Sequence, residues 1–237
     1  MSKRSELRRQ DLVRRSLEKT LRVQLVREFR ILIYQIKKAG DAHTAIWGHE
    51  DRLRGLLFAF YIKAFRMAGN KMRPELKSLG YLNLEFKDDS FELAASEFAG
   101  KWSGLKVTEI SDSTRKRINK AIQRNAETSG STADLVNELR RYVGGARATT
   151  IARTESQAAA QAGQLEVAKN VGVVLKKVWV SAEDDRTRPA HNEADGQTVD
   201  LDEPFIVDGE ELMFPGDPSG SAANIINCRC AVVYKVK

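Results

Sequence analysis

The chain has 237 residues, 42% hydrophobic and 30% charged, enough to bury one substantial core or two smaller ones. No run reaches the ~18 apolar residues that a membrane span needs. The basic start MSKRSELRRQDLVRRSLEKT has no apolar stretch behind it, so neither a membrane protein nor a secretory signal is expected. With no export route visible, the expected compartment is reducing and disulfides are not expected. The formal charge of +7 divides unevenly. Residues 1–80 carry nineteen Lys/Arg against eight Asp/Glu, and residues 183–217 carry twelve Asp/Glu against two Lys/Arg. A basic front attracts phosphate backbones, although a solvated helix face has the same composition.

The front of the chain reads as helical. Leu21, Leu25, Phe29, Leu32 and Ile36 recur at steps of three and four and share one helix face. Gly40 and Asp41 interrupt the pattern, and Leu53, Leu56, Leu57, Phe60, Ala64 and Met67 resume it. Gly69 and Asn70 suit a left-handed C-cap, and Pro74 predicts that the second helix stops there. Residues 75–105 show no clear period, with Gly80 and Gly100 as breakers and aromatics at Tyr81, Phe86, Phe91, Phe98 and Trp102. A helix carrying Ile118 and Ile122 is expected to start at a cap among Ser111, Asp112 and Ser113. Ser131 and Asp134 fit a capping box ahead of Leu135, Leu139 and Tyr142, with Gly144 as the stop. A further helix, rich in alanine and suited to close packing, runs from about Arg147 to Gly172.

From Val173 the period changes. VVLKKVWV predicts a strand, PFIV and ELMF two short ones, and CRCAVVYKV the last, with long acidic, turn-rich loops between them. Helices followed by strands give an α+β fold: an N-terminal helical region, then helices with a small antiparallel sheet. The expected division is a basic helical region over residues 1–100 and an α+β domain over 101–237.

An ordered set of motifs lies in the second part. Arg153-Thr154-Glu155 sits on the alanine-rich helix and Trp179 on a strand. Asp185-Arg186-Thr187-Arg188, His191, Asp195-Gly196, Pro215-Gly216 and Asn227-Cys228-Arg229-Cys230 follow in that order. Over about residues 105–237 the chain resembles the phage Mu protein F-like family of minor head, or head-morphogenesis, proteins of tailed bacteriophages. It departs at Ala194, where that family usually has leucine. The resemblance implies a structural protein with no enzymatic activity, present in a few copies inside the head near the portal vertex. The implied partners are the portal protein, with packaged double-stranded DNA and capsid or scaffold protein as further candidates. The implied location is the virion, and the bacterial host cytoplasm during assembly. In this reading the basic front, with Arg8, Arg9, Arg14 and Arg15, faces portal or DNA.

The residues also suggest chemistry directly. On a strand, Cys228 and Cys230 project from one face, and a disulfide across that step is strained. Thiolates prefer soft or borderline metals, so with His191 they form a candidate zinc clip, with Asp185, Asp195 or water as the fourth ligand. The plainer reading is a pair of small apolar core residues. Calcium or magnesium on the acidic loops is a weaker idea, because the twelve-residue calcium loop is absent. Arg153, Glu155, Asp185, Arg186 and Arg188 read as a structural ion-pair network that catalyses nothing. The alternative from another class is a metal-dependent hydrolase, a nuclease or peptidoglycan-acting enzyme, using His191 and the acidic loop. PGDPSGSA lacks the lysine of a phosphate loop, and no G-x-S-x-G is present.

Overall fold

The computed structural model describes residues 3–39, 42–78, 88–171 and 173–236. Five helices come first: α1 (Lys3–Ala39), α2 (Ala42–Ser78), α3 (Asp88–Glu127), α4 (Thr132–Tyr142) and α5 (Gly145–Lys169). After them come β1 (Leu175–Val180), the short α6 (Pro189–Glu193), β2 (Thr198–Asp200), β3 (Phe205–Val207), β4 (Glu210–Leu212), α7 (Ala222–Ile225) and β5 (Ala231–Val236). Strands β2, β1 and β5 form an antiparallel sheet in that order, with Trp179 opposite Val232, and β3 and β4 form a separate hairpin. The fold is α+β, as expected.

The apolar periodicity becomes a core. Leu21, Leu25, Phe29, Leu32 and Ile36 of α1 are all buried, as are Leu53, Leu57, Phe60 and Ala64 of α2. Helix α5 lies at the centre. Ile151, Ala152 and Ala159 join the helical cluster, whereas Ala162, Leu165 and Ala168 pack with Trp179, Phe205 and Val232 on the sheet side. Small residues permit this closeness: a Cβ at Gly163 would lie 2.3 Å from the Phe65 carbonyl oxygen of α2.

Two expected helix ends are absent. Helix α2 runs past Gly69 and Asn70 to Ser78 with Pro74 inside it. Met72 and Leu76 are buried on either side of that proline, and their burial outweighs the hydrogen bond it removes. Gly69 serves packing instead, since a Cβ there would lie 2.5 Å from Phe91 Cζ. Helix α3 runs through Gly100 and through Ser111, Asp112 and Ser113, so the expected cap there is wrong. Phe91, Ala95, Ala99, Val107, Ile110, Ile118 and Ala121 are buried along it, and its hydroxyls turn back onto the helix itself. Ser113 Oγ donates to Glu109 O at 2.8 Å and Thr114 Oγ1 to Ile110 O at 2.6 Å. Residue 100, the expected domain boundary, falls inside α3, and both core clusters draw on residues from either side of it. The expectations at Gly40, Asp41, Gly80, Tyr81, Phe86 and Gly172 lie outside the described residues.

The capping box is present, with Ser131 Oγ accepting from the Asp134 amide and Asp134 Oδ2 from the Ser131 amide. The β3–β4 hairpin turns at Asp208 (φ 52°) and Gly209 (φ 75°), the left-handed pair that a two-residue hairpin turn demands.

Candidate functional site

Cys228 and Cys230 do not lie on a strand. Strand β5 begins at Ala231, and the cysteines lie just before it, after a turn in which Asn227 is left-handed (φ 58°) and the Cys228 amide donates to Ile225 O at 3.1 Å. The segment between α7 and β5, outside any strand, carries both sulfurs. Cys228 Sγ lies 3.7 Å and Cys230 Sγ 3.4 Å from Nδ1 of His191, which the α6 turn presents from the other side. Exposure is 1% for Cys228, 2% for Cys230 and 1% for His191. The imidazole meets Trp179 edge-on at 5.6 Å, and Trp179 meets Phe205 at 5.4 Å, so aromatic rings wall one side. The three potential ligand atoms lie within 4.8 Å of one another, a group able to hold a metal ion. A hydrogen bond between the two thiols lowers the pKa of Cys228, and that bond together with burial raises the pKa of Cys230. Among the described residues, neither proposed carboxylate joins the group. Asp185 is exposed, and Asp195 Oδ1 accepts from the Ser181 amide at 2.8 Å.

The R-T-E segment of α5 and the N-C-R-C turn meet in space. Arg153 Nη1 donates to Asn227 Oδ1 at 3.3 Å, and the Asn227 amide donates to Thr154 Oγ1 at 3.1 Å. Two residues further along, Gln157 Nε2 donates to Cys230 O at 2.6 Å. Helix α5 therefore grips the cysteine turn at both ends. Arg153 also pairs with Glu18 of α1 at 3.1 Å. Glu155 points elsewhere, as an i, i+2 relation on a helix requires. It is buried, accepts from Tyr61 OH at 2.6 Å, and burial pushes its carboxyl up to about 7.

Asp184, not Asp185, is the acid of the loop network. Its carboxylate takes both arms of the Arg229 guanidinium, one at 2.6 Å, together with Thr187 Oγ1 at 3.0 Å and the Arg186 amide at 3.1 Å. The Arg229 fork holds its pKa well below the ordinary carboxylate range. The Arg186 side chain is 71% exposed and only approaches Asp184, at 3.6 Å. Arg188 donates to Ile226 O, just ahead of the cysteine turn. Other acids of this stretch serve loop backbone or cross-pairs. Glu210 accepts from the Ser221 amide at 2.8 Å, Asp217 from the Met213 amide at 2.8 Å, and Asp202 pairs with Lys169 at 2.9 Å.

Sequence reasoning placed Arg229 in the N-C-R-C motif without a partner and missed the glutamines. Gln157, Gln161 and Gln164 recur at i, i+4 and i+7 on α5, a visible polar stripe within an alanine run, and all are buried. Gln161 donates to Gln10 Oε1 at 2.7 Å, and Gln10 donates to Val232 O at 2.7 Å, which joins α5, α1 and β5.

The basic residues of α1 divide. Arg8 and Arg15 are exposed, Arg15 pairing with Asp11 at 2.6 Å, Arg9 pairs with Glu6 (Nε–Oε2 2.9 Å), and Arg14 is buried between Asp11 and Glu18. Beside them an open groove of about 670 Å³ runs between α1, Arg153 and the 182–186 loop, with eight Lys/Arg and four Asp/Glu on its walls. No helix among the described residues is long and apolar enough to cross a membrane.

The family model described as "Phage Mu protein F like protein" matches residues 113–233. Over 94 residues the chain is 35% identical to the minor head protein GP7 of Bacillus phage SPP1, and over 90 residues 37% identical to the uncharacterized protein YqbB of Bacillus subtilis. Over 93 residues it is 38% identical to the NAD(+)–arginine ADP-ribosyltransferase EFV of Enterococcus faecalis. These matches cover 38%, 36% and 38% of this chain, but 30% of GP7, 30% of YqbB and 19% of EFV. No solved structure matches. With half of its length matched by the family model, in the region where the R-T-E helix grips the N-C-R-C turn, the chain belongs to the phage Mu protein F-like family.

Proposed function

We propose that the chain is a minor head, or head-morphogenesis, protein of a tailed bacteriophage or prophage, working by structure rather than catalysis. The observation that carries this reading is the family match over residues 113–233, joined to the similarity to a phage minor head protein. Within the reading, the protein sits inside the head near the portal, after assembly in the host cytoplasm. Its partners are the portal protein, packaged double-stranded DNA, and capsid or scaffold protein. The surplus of cations in the groove beside Arg8 and Arg15 supports contact with a polyanion. The motif residues hold the fold, and the His191–Cys228–Cys230 group belongs to that framework, with zinc as its metal.

The competing hydrolase reading needs an open metal position facing a cleft. His191, Cys228 and Cys230 are each at most 2% exposed, which favours a framework role. The activity in the name of EFV is that protein's, and the match reaches 19% of it.

The test is made on particles. Heads purified from a phage or induced prophage encoding the chain should contain it in a few copies, and deletion of its gene should lower infectious titre while heads still form. Its absence from purified heads by mass spectrometry overturns the assignment.

A further inference from the structure

We propose that His191 Nδ1, Cys228 Sγ and Cys230 Sγ bind one zinc ion in a buried structural centre that ties the start of β5 to the α6 turn. The proposal deepens the framework role given above for this group, and it stands on geometry measured in the chain itself. Tetrahedral zinc with bonds of about 2.0 Å to nitrogen and about 2.3 Å to sulfur places nitrogen and sulfur roughly 3.5 Å apart. The observed separations, 3.4 and 3.7 Å, bracket that value.

A metal ion accounts for both sulfur contacts at once. In the tautomer that leaves Nδ1 unprotonated, its single lone pair faces two sulfurs at once. One cation on that lone pair satisfies both sulfurs. Charge favours the same outcome. Two thiols release their protons to solvent, and the resulting thiolates cancel the two charges of the ion. The product is a neutral centre, which a site of 1–2% exposure accepts at low cost.

The turn is built to hold the ligands before the ion arrives. Arg153 and Thr154 hold Asn227, Gln157 holds the Cys230 carbonyl, and Trp179 packs edge-on against the His191 ring, whose Nε2 has no hydrogen-bond partner among the described residues. Support of this kind from outside the ligand set is what keeps a metal site in shape. Sulfur with imidazole selects zinc over the hard, oxygen-seeking magnesium and calcium. Three protein donors leave a fourth position for a molecule of water size, and the burial bars a substrate from it.

The full chain purified without chelator should contain about one equivalent of zinc, and the Cys228→Ser/Cys230→Ser double variant should carry none above background. Because that variant can fail to fold, the wild-type protein gives the second readout. Stripped of metal and given cobalt(II), it should develop the visible and thiolate charge-transfer bands of a tetrahedral site with two sulfurs, and zinc should bleach them. No metal in the purified protein, together with no cobalt spectrum, overturns the proposal. Zinc retained by the double variant overturns the ligand assignment. Both measurements use purified protein, so their failure leaves the head assignment untouched, and the particle test leaves the metal untouched.

Discussion

Asp184 and Arg229 show how one pair positions a loop. The fork joins the 182–188 loop to the cysteine turn at a residue flanked by Cys228 and Cys230, and Thr187 closes the loop onto the same carboxylate. The Arg186 side chain reaches that carboxylate only from solvent, at 3.6 Å. Exposed pairs contribute about 0–1 kcal/mol, whereas hydrogen bonds to a charged group that is mostly shielded contribute more. Arg186→Ala should therefore change stability by less than about 0.5 kcal/mol. Arg229→Ala, whose side chain is 18% exposed, should cost about 1–2 kcal/mol, a fall of roughly 2–8 °C in Tm. Equal melting temperatures for the two variants would show that the fork does not hold the loop. At this scale the sequence exposes residue type more readily than partner. The association of His191 with the two cysteines is legible from their chemistry, although they lie just ahead of strand β5 and not on it. Arg229 is hidden because nothing local says which of several acids its fork will meet.

Elements are legible where one face repeats and illegible where packing overrides a local breaker. The apolar stripe of α1, the Ser131–Asp134 box and the Asp208–Gly209 hairpin all follow from nearest-neighbour rules. Gly69, Gly100 and the Ser111–Ser113 cluster look like helix ends, yet the helices continue, because burying Met72 and Leu76 in one case and Val107 and Ile118 in the other needs a continuous rod. The glycines then have different jobs, and alanine substitution separates them. At Gly163 a Cβ would meet the Phe65 carbonyl at 2.3 Å, backbone that cannot rotate aside, so Gly163→Ala should cost about 1–3 kcal/mol. At Gly100 nothing lies within 4 Å, and Gly100→Ala should stabilise the chain by about 0.5–1 kcal/mol by restricting the unfolded state. Denaturant midpoints measure both. A tolerated alanine at residue 163 would mean that α2 and α5 are not in this close contact.

Across the whole molecule, the part that matches the family is not a separate layer. Helix α5 carries the R-T-E segment and lies between α1 and α2 on one side and the sheet on the other. Polar links run the same way, from Gln161 through Gln10 to the Val232 carbonyl and from Arg153 to Glu18. A boundary near residue 100, the division suggested by charge and by the reach of the motifs, predicts two units that melt independently. Packing of α5 against both sides predicts one cooperative unit, because a fragment of residues 101–237 lacks α1, α2 and the start of α3 and leaves Ile151, Ala152 and Ala159 facing water. Calorimetry of the full chain should show a single transition with matching calorimetric and van't Hoff enthalpies. The isolated fragment, prepared with zinc present, should bind a hydrophobic dye and melt broadly. Two resolved transitions in the full chain, or a fragment that melts sharply without dye binding, would make the family-matching part an independent domain and reduce α1 and α2 to an appended arm.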